Sequence, residues 1–347
     1  VYLSYQNKNN SNMKSLAPQK SHLAILQPVN GAMVLTNHFD ITGEAENNQV
    51  ISLVIDGEIK AVTLPKNGKF EFLNIPAKRG NNTFTVKTMS ENGVVTSLET
   101  IKIAYNNPTI NYLSKNITHG NRFEPKVALT FDGGYLANAC EEILDILKAK
   151  ELQCTIFLSG RFITKYPAIV KRMVAEGHEI GNHTWNHPHL TEFVENKVQV
   201  TKSTVTREFL QKQLNDTALA FNACTGQSLM PFWRAPYGEH NLEIREWAAE
   251  MGYRHIAWTL GPNWQNTMDT MDWVADSTSP AYHTAEEILE KILGFGNGSN
   301  TGANGAIIIM HLGTLRNHDF PHKKLPEIID GLKAQGYELV RVSEMID

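Results

Sequence analysis

From Lys126 to the C-terminus, short apolar runs alternate with segments of helical period, and this alternation constrains the fold more than any other feature of the chain. KVALTFD, QCTIFLSG, HEIGNH, LMPFWRAP, YRHIAWTL, GAIIIMHL and YELVRVSEM read as strands. NACEEILDILKAK, YPAIVKRMVAEG, a long region from about Val198 to Asn222, NLEIREWAAEMG, TAEEILEKIL and LPEIIDGLKAQG read as helices. Ile143, Leu144 and Leu147 share one face of the first of these, and Gly177 ends the second. Strands that are apolar without interruption are buried on both faces, which implies a parallel sheet covered by helices. The alternation continues to the C-terminus, so a closed barrel fits as well as an open sheet. In either architecture the chemistry belongs at the C-terminal ends of the strands.

Before about residue 110 the pattern is different. VISLVID ends at Asp56-Gly57, AVTLP leads to Asn67-Gly68 and KFEFLNI, and NNTFTVKTM leads to Asn92-Gly93. Asp-Gly and Asn-Gly between period-2 segments mark hairpins, because these residues tolerate positive φ. The expectation is a small all-β sandwich over 22–106, similar to bacterial Ig-like modules found beside surface enzymes. A polar tether over 1–21 precedes it, without the charged-then-apolar layout of an export leader, and reads as what remains after processing. Residues 107–124 read as a linker, and 125–347 as the catalytic domain. The Asn116-Ile117-Thr118 sequon lies in that linker.

Composition excludes several classes of function. A formal net charge of −4 over 347 residues is too mild for a nucleic-acid or anionic-membrane partner. No apolar run is long enough to span a bilayer. Cys140, Cys154 and Cys224 are an odd, scattered set, neither a disulfide framework nor a spacing that supports a catalytic thiol.

The ionisable groups gather at the expected strand ends. The first strand ends at Asp132, followed by Gly133 and Gly134; the third runs into NHTWNHPHL; the fourth into WRAPYGEH; the fifth into GPNWQNTMDTMDW; the sixth ends at His311. The four-residue spacing of His183 and His187 allows both imidazoles to reach one cation, and two imidazoles with a carboxylate suit Zn²⁺ or a similar divalent ion. Arg234 is either a surface arginine at a turn or a guanidinium that orients a carboxylate such as Asp132. His311 is either a buried histidine bonded to backbone or a general acid with Asp269 or Asp272 beside it. Trp264 and Trp273 are core residues or sugar-stacking platforms. His318 and His322 read as surface groups.

These motifs resemble the polysaccharide deacetylases with a NodB-homology domain. TFDGGY looks like the family's TFDDG, NHTWNHPHL its H-[ST]-x-x-H-P, RAPYG its R-x-P-[YF], DTMDW its D-[ST]-x-D-W, and IIIMH its apolar run ending in His. The resemblance implies a distorted (β/α)7 barrel, located outside the cytoplasm, that removes acetyl groups from N-acetylated sugars with a divalent metal. It implies His183 and His187 as metal ligands, Asp132 as base, Arg234 tuning it, and His311 as acid with Asp272 or Asp269. The Tyr237 amide is implied as an oxyanion donor, with Pro236, Trp264 and Leu312 as further substrate-binding candidates. The chain departs from the pattern at Gly133, where the family has a second aspartate as metal ligand. Asp132 then acts as base beside a metal on the two histidines, or itself joins the metal, or the site is a carbohydrate-binding relic. Peptidoglycan, chitin-like oligomers and exopolysaccharide all fit as substrate, and an O-acetyl esterase shares the same site.

Overall fold

The computed structural model describes residues 22–346, apart from 91–92 and 262–265. The tether over 1–21, Asn92 and Trp264 therefore lie outside the described residues. The chain divides into two compact units, Val1–Pro108 and Thr109–Asp347.

The first unit is all-β. Its strands are β1 (Leu23–Gln27), β2 (Met33–Val34), β3 (His38–Ala45), β4 (Val50–Ile55), β5 (Glu58–Thr63), β6 (Lys69–Pro76), β7 (Gly80–Met89) and β8 (Val95–Tyr105). They form two sheets, in the orders β1-β3-β6 and β2-β8-β7-β4-β5. Alternation puts Phe70 and Phe72 of β6 and Phe84 and Val86 of β7 inward, where they meet Ile41, Ile51, Leu53, Ile101 and Ile103 in one core. Asp56 and Gly57 sit at φ 52° and 84°, and turn β4 directly into antiparallel β5. Asn67 and Gly68 have the same handedness but close only a Lys66–Lys69 bridge, since β5 and β6 belong to different sheets.

The second unit is a distorted α/β barrel. Its strands are β9 (Asn116–Ile117), β10 (Lys126–Gly133), β11 (Thr155–Leu158), β12 (Glu179–Asn182), β13 (Phe232–Trp233), β14 (Arg254–Ile256), β15 (Ala306–His311) and β16 (Glu338–Leu339). They pair in parallel in the order β15-β10-β11-β12-β13-β14-β9, with β16 also on β10. The seam between β9 and β15 is crossed by a His119–Ala306 bridge and by the Thr259 amide, which donates to the Ile307 carbonyl at 3.0 Å. Helices Cys140–Ala149, Pro167–Ala175, Ala285–Leu293 and Leu325–Ala334 press their apolar faces onto β10, β11 and β15. In Ala285–Leu293, Ile288, Leu289 and Ile292 are buried, and Thr284 with Glu287 caps the first turn. No helix among the described residues is long and apolar enough to cross a membrane.

Three local expectations are corrected. The polar stretch 107–124, read as a linker, holds β9, which closes the sheet beside β14. Its polarity misled because two residues of strand carry too short a pattern to detect. The helix expected from Val198 begins at Arg207, where the Thr206 hydroxyl accepts from the Phe209 amide and fixes the first turn. The final strand shortens to Glu338–Leu339, after which Val342–Glu344 is a 3₁₀ turn.

Candidate active site

The C-terminal ends of the parallel strands converge on one cavity of about 560 Å³. Asp132, His183, His187, Tyr237, Trp258, Asp269, Trp273 and His311 line it. Asp132 and His311 are register partners on β10 and β15, so the ladder itself sets them side by side. His183 directly follows β12 and Arg234 directly follows β13, and the Arg234 amide donates to the Asn182 carbonyl at 2.9 Å.

Asp132 is 4% exposed, and Arg234 beside it is fully buried. Arg234 Nη1 donates to Asp132 Oδ1 at 2.7 Å. Its other donors reach Thr130 Oγ1 and the carbonyls of Ile256 and Ala257, so the guanidinium is held on every side. Burial opposes ionisation of Asp132, but the charge of Arg234 above all, with that of His311, outweighs it and holds the carboxyl below its usual range. Asp132 Oδ2 faces His183 Nε2 at 3.6 Å.

His183 Nδ1 donates to the Arg234 carbonyl at 2.9 Å, which leaves its Nε2 lone pair aimed into the cavity. His187 Nε2 lies 3.1 Å from that atom, while His187 Nδ1 is buried without a hydrogen-bond partner. Burial lowers the pKa of both rings, that of His187 to about 3, so both stay neutral. Two converging neutral imidazole nitrogens with a carboxylate oxygen nearby form a donor set that fits a borderline divalent cation. No group of three His, Cys, Asp or Glu among the described residues is preassembled around one point. At Gly133, beside Asp132, a Cβ would meet Leu158 Cδ2 at 2.6 Å, Leu312 Cδ1 at 3.1 Å and Phe162 Cδ2 at 3.2 Å, so apolar core side chains crowd that position.

His311 pairs with Asp272, not Asp269. Its Nδ1 donates to Asp272 Oδ1 at 2.7 Å and its amide to Oδ2 at 2.9 Å. Burial pulls the His311 pKa down, but the Asp272 charge and hydrogen bond prevail and raise it to about 9. Asp269 is spent locally, accepting from the Met271 amide, and burial raises its pKa.

Tyr237 stands at the rim with φ +58°, a left-handed conformation that a tyrosine holds only when its surroundings impose it. Its ring stacks on His189 at 4.0 Å and meets the edge of His187 at 4.5 Å. The fully buried Glu239 carboxylate accepts from His189 Nδ1 and from the amides of Leu190 and Thr191, tying the two loops together. Trp273, 52% exposed, and Leu315, 76% exposed, complete an apolar rim with Tyr135.

Two substrate-binding expectations are corrected. Leu312 is fully buried in the barrel core, with its amide on the Asp132 carbonyl, and does not face the cavity. Pro236 is buried inside its turn, where it sets the backbone rather than touching the cavity. His322, read as a surface group, is 8% exposed and bonds Glu142. Glu239, His255 and Thr130 escaped the sequence reading because single buried polar residues leave no periodic signal; only the adjacency of Glu239 to RAPYG pointed to it.

Comparison with known proteins identifies the family. The family model described as "Polysaccharide deacetylase" matches residues 119–256. A peptidoglycan-N-acetylglucosamine deacetylase of Bacillus cereus is 31% identical over 220 residues, 63% of this chain and 68% of that protein. Among curated relatives, the chain spans 73% of one and only 38% of another. The solved structure of the Bc1960 peptidoglycan N-acetylglucosamine deacetylase is 29% identical, with TM-score 0.54, covering 68% of this chain and 94% of that one. A CE4 family pseudoenzyme from Bacillus anthracis shares the fold at 24% identity and TM-score 0.54, covering 72% of this chain and 75% of that one. Motif residues gathered on one barrel rim, the profile match and the similarity to a cell-wall deacetylase lead to one conclusion: the chain belongs to the polysaccharide deacetylase family.

Proposed function

We propose that this protein is an active, metal-dependent deacetylase that hydrolyses the acetamide of N-acetylated sugars in a polysaccharide outside the cytoplasm. The single observation that carries this reading is that the proton-handling groups are complete: Asp132 is held by Arg234, and His311 by Asp272, across one cavity.

His183 and His187 would hold the cation, most simply Zn²⁺, with Asp132 Oδ2 in reach. Such an ion supplies Lewis-acid polarisation of the acetyl carbonyl and a lowered pKa for water. Asp132, ionised by Arg234, accepts the proton of the attacking water through Oδ2, since Oδ1 is occupied. The Tyr237 amide donates to the oxygen that becomes negative, a contribution of about 3–4 kcal/mol per well-placed donor. His311, cationic through Asp272, gives its proton to the departing sugar nitrogen and is left neutral. Exposed Trp273 and Tyr237 flank the sugar rings.

Peptidoglycan is the favoured polymer, because the curated relative from Bacillus cereus is named for it. The all-β unit is read as an Ig-like spacer that holds the enzyme at a wall. The test is acetate release from N-acetylglucosamine oligomers and from peptidoglycan, with and without added Zn²⁺. Glycan binding without acetate release under every metal condition would instead establish the carbohydrate-binding relic, the reading favoured by the missing carboxylate at Gly133. Faster release from acetyl-xylan would establish the esterase.

A further inference from the structure

The turn that presents the Tyr237 amide is held from behind by His255, which in turn is held by Asn116, a residue outside those matched to the family, 119–256. His255, on β14, is 1% exposed. Its Nε2 accepts from the Ala235 amide at 3.2 Å, and its Nδ1 donates to Asn116 Oδ1 at 2.8 Å. Asn116 lies on β9, directly opposite His255 in the register. Ala235 is the residue between Arg234, whose carbonyl fixes His183 and whose side chain fixes Asp132, and the Pro236-Tyr237 turn.

An amide nitrogen only donates, so Ala235 requires a bare Nε2 on His255. A carbonyl-type oxygen only accepts, so Asn116 requires a proton on Nδ1. The two partners therefore select one tautomer of a neutral ring. The neighbours enforce neutrality: burial first, then His240 and the arginines, hold the His255 pKa well below its ordinary value. Without an acceptor at position 116, the buried Nδ1–H is orphaned. Moving the proton to Nε2 gives no relief, because Nδ1 would still lack a partner and Nε2–H would confront the Ala235 N–H, donor against donor. The orphaned donor is relieved by turning the ring toward another acceptor, which takes Nε2 off the Ala235 amide and frees a turn whose Tyr237 holds φ +58°.

We infer that Asn116 and His255 are positioning residues for the reaction: Asn116 holds the His255 ring by its Nδ1–H, and the bare Nε2 of that ring anchors the Ala235–Tyr237 turn that supplies the oxyanion donor. The inference rests on the deacetylase reading for its kinetic consequence, and on geometry alone for its structural one. The Asn116-Ile117-Thr118 sequon thereby has a role inside the fold, with its asparagine side chain turned to His255 rather than free to carry a glycan.

The experiment compares the full chain with Asn116→Leu and Asn116→Asp. Imidazole ¹⁵N shifts report the hydrogen bonding of the two His255 nitrogens, and steady-state acetate release reports kcat and KM. Asn116→Leu is expected to shift the His255 Nε2 resonance to that of a nitrogen without a donor and lower kcat roughly 10- to 100-fold with KM little changed, the scale seen when an outer hydrogen-bond partner is lost. Asn116→Asp keeps an acceptor and is expected to retain both the ¹⁵N shifts and kcat. Should Asn116→Leu not fold, Asn116→Ala removes the acceptor without added volume and replaces it. A changed Nε2 shift with unchanged kcat overturns the inference, as does an equal loss in the Leu and Asp variants with the Nε2 shift unchanged. If the wild-type protein releases no acetate from any substrate, the deacetylase reading fails by itself. The inference is then decided by crystal structures of the variants: a Tyr237 turn unmoved in Asn116→Leu overturns it, and a displaced turn upholds the anchor.

Discussion

The two sides of the cavity are built to different standards. On one side, each proton-carrying group has a dedicated counter-charge within 2.7 Å: Asp132 has Arg234, and His311 has Asp272. On the other, two imidazoles face each other across 3.1 Å, and Gly133 beside Asp132 offers no side chain to join them. For the proposed amide hydrolysis, the difference teaches which part would be specified tightly. Proton movement would be fixed by buried ion pairs, whereas the hold on a cation would be left to few donors. A thin ligand set predicts a metal that exchanges readily, with activity that follows the free metal concentration.

The largest expected effects separate the two sides outright. Alanine at His183 or His187 abolishes Zn²⁺ binding in calorimetry, while His311→Ala keeps the metal and loses about 10²–10⁴-fold in turnover. Loss of metal in His311→Ala would erase the division. Next, Arg234→Met strands the Asp132 charge in the interior and costs about 3–5 kcal/mol in chemical denaturation, the usual cost of breaking a buried pair. Asp272→Asn removes the charge that raises His311. Activity that persists to about pH 9 in the wild type then declines from a lower pH in the variant, toward the ordinary histidine range. The stability linkage has the matching sign. The His311 contribution is full below the unfolded pKa and is lost as pH rises through about 9. That of Asp132 is present above its unfolded pKa and lost as pH falls through its depressed folded value. Gly133→Asp sharpens the comparison from the weak side. Leu158 Cδ2, the free end of a flexible side chain, must turn away, and Zn²⁺ binds more tightly in the variant. Unchanged affinity would show that the two-imidazole set is already sufficient. The smallest effect is expected from deleting residues 1–108: release from short oligomers stays within about twofold of wild type, since all groups of the cavity lie in the second unit.

Much of this was legible in the sequence, for a physical reason. Strands buried on both faces cannot hide their composition, so KVALTFD and GAIIIMHL announce β10 and β15, and the polar residue that ends each run is the one delivered to the cavity. Asp132, His183 and His311 emerge this way, Arg234 follows β13 directly behind the cavity, and His187 is found from its four-residue spacing to His183. Strand β9 did not, because two residues of pairing lie below any periodicity, and Leu312 misled because adjacency to His311 does not reveal which way a side chain points at a strand end. The choice between Asp269 and Asp272 was open in the sequence and closed by a turn at Met271, φ 56°, which sends one carboxylate to His311 and keeps the other for its own backbone.

The register of β10 against β15 has a mechanical consequence. Asp132 and His311, the proposed base and acid, sit opposite each other on neighbouring strands, so the separation of their backbones follows the interstrand spacing of about 4.8 Å rather than the course of a loop. Stretching that distance means parting the central ladder of the barrel. Warming the protein should therefore leave the spacing of the two proton carriers unaltered until the barrel itself gives way, and thermal inactivation of catalysis should coincide with melting instead of preceding it.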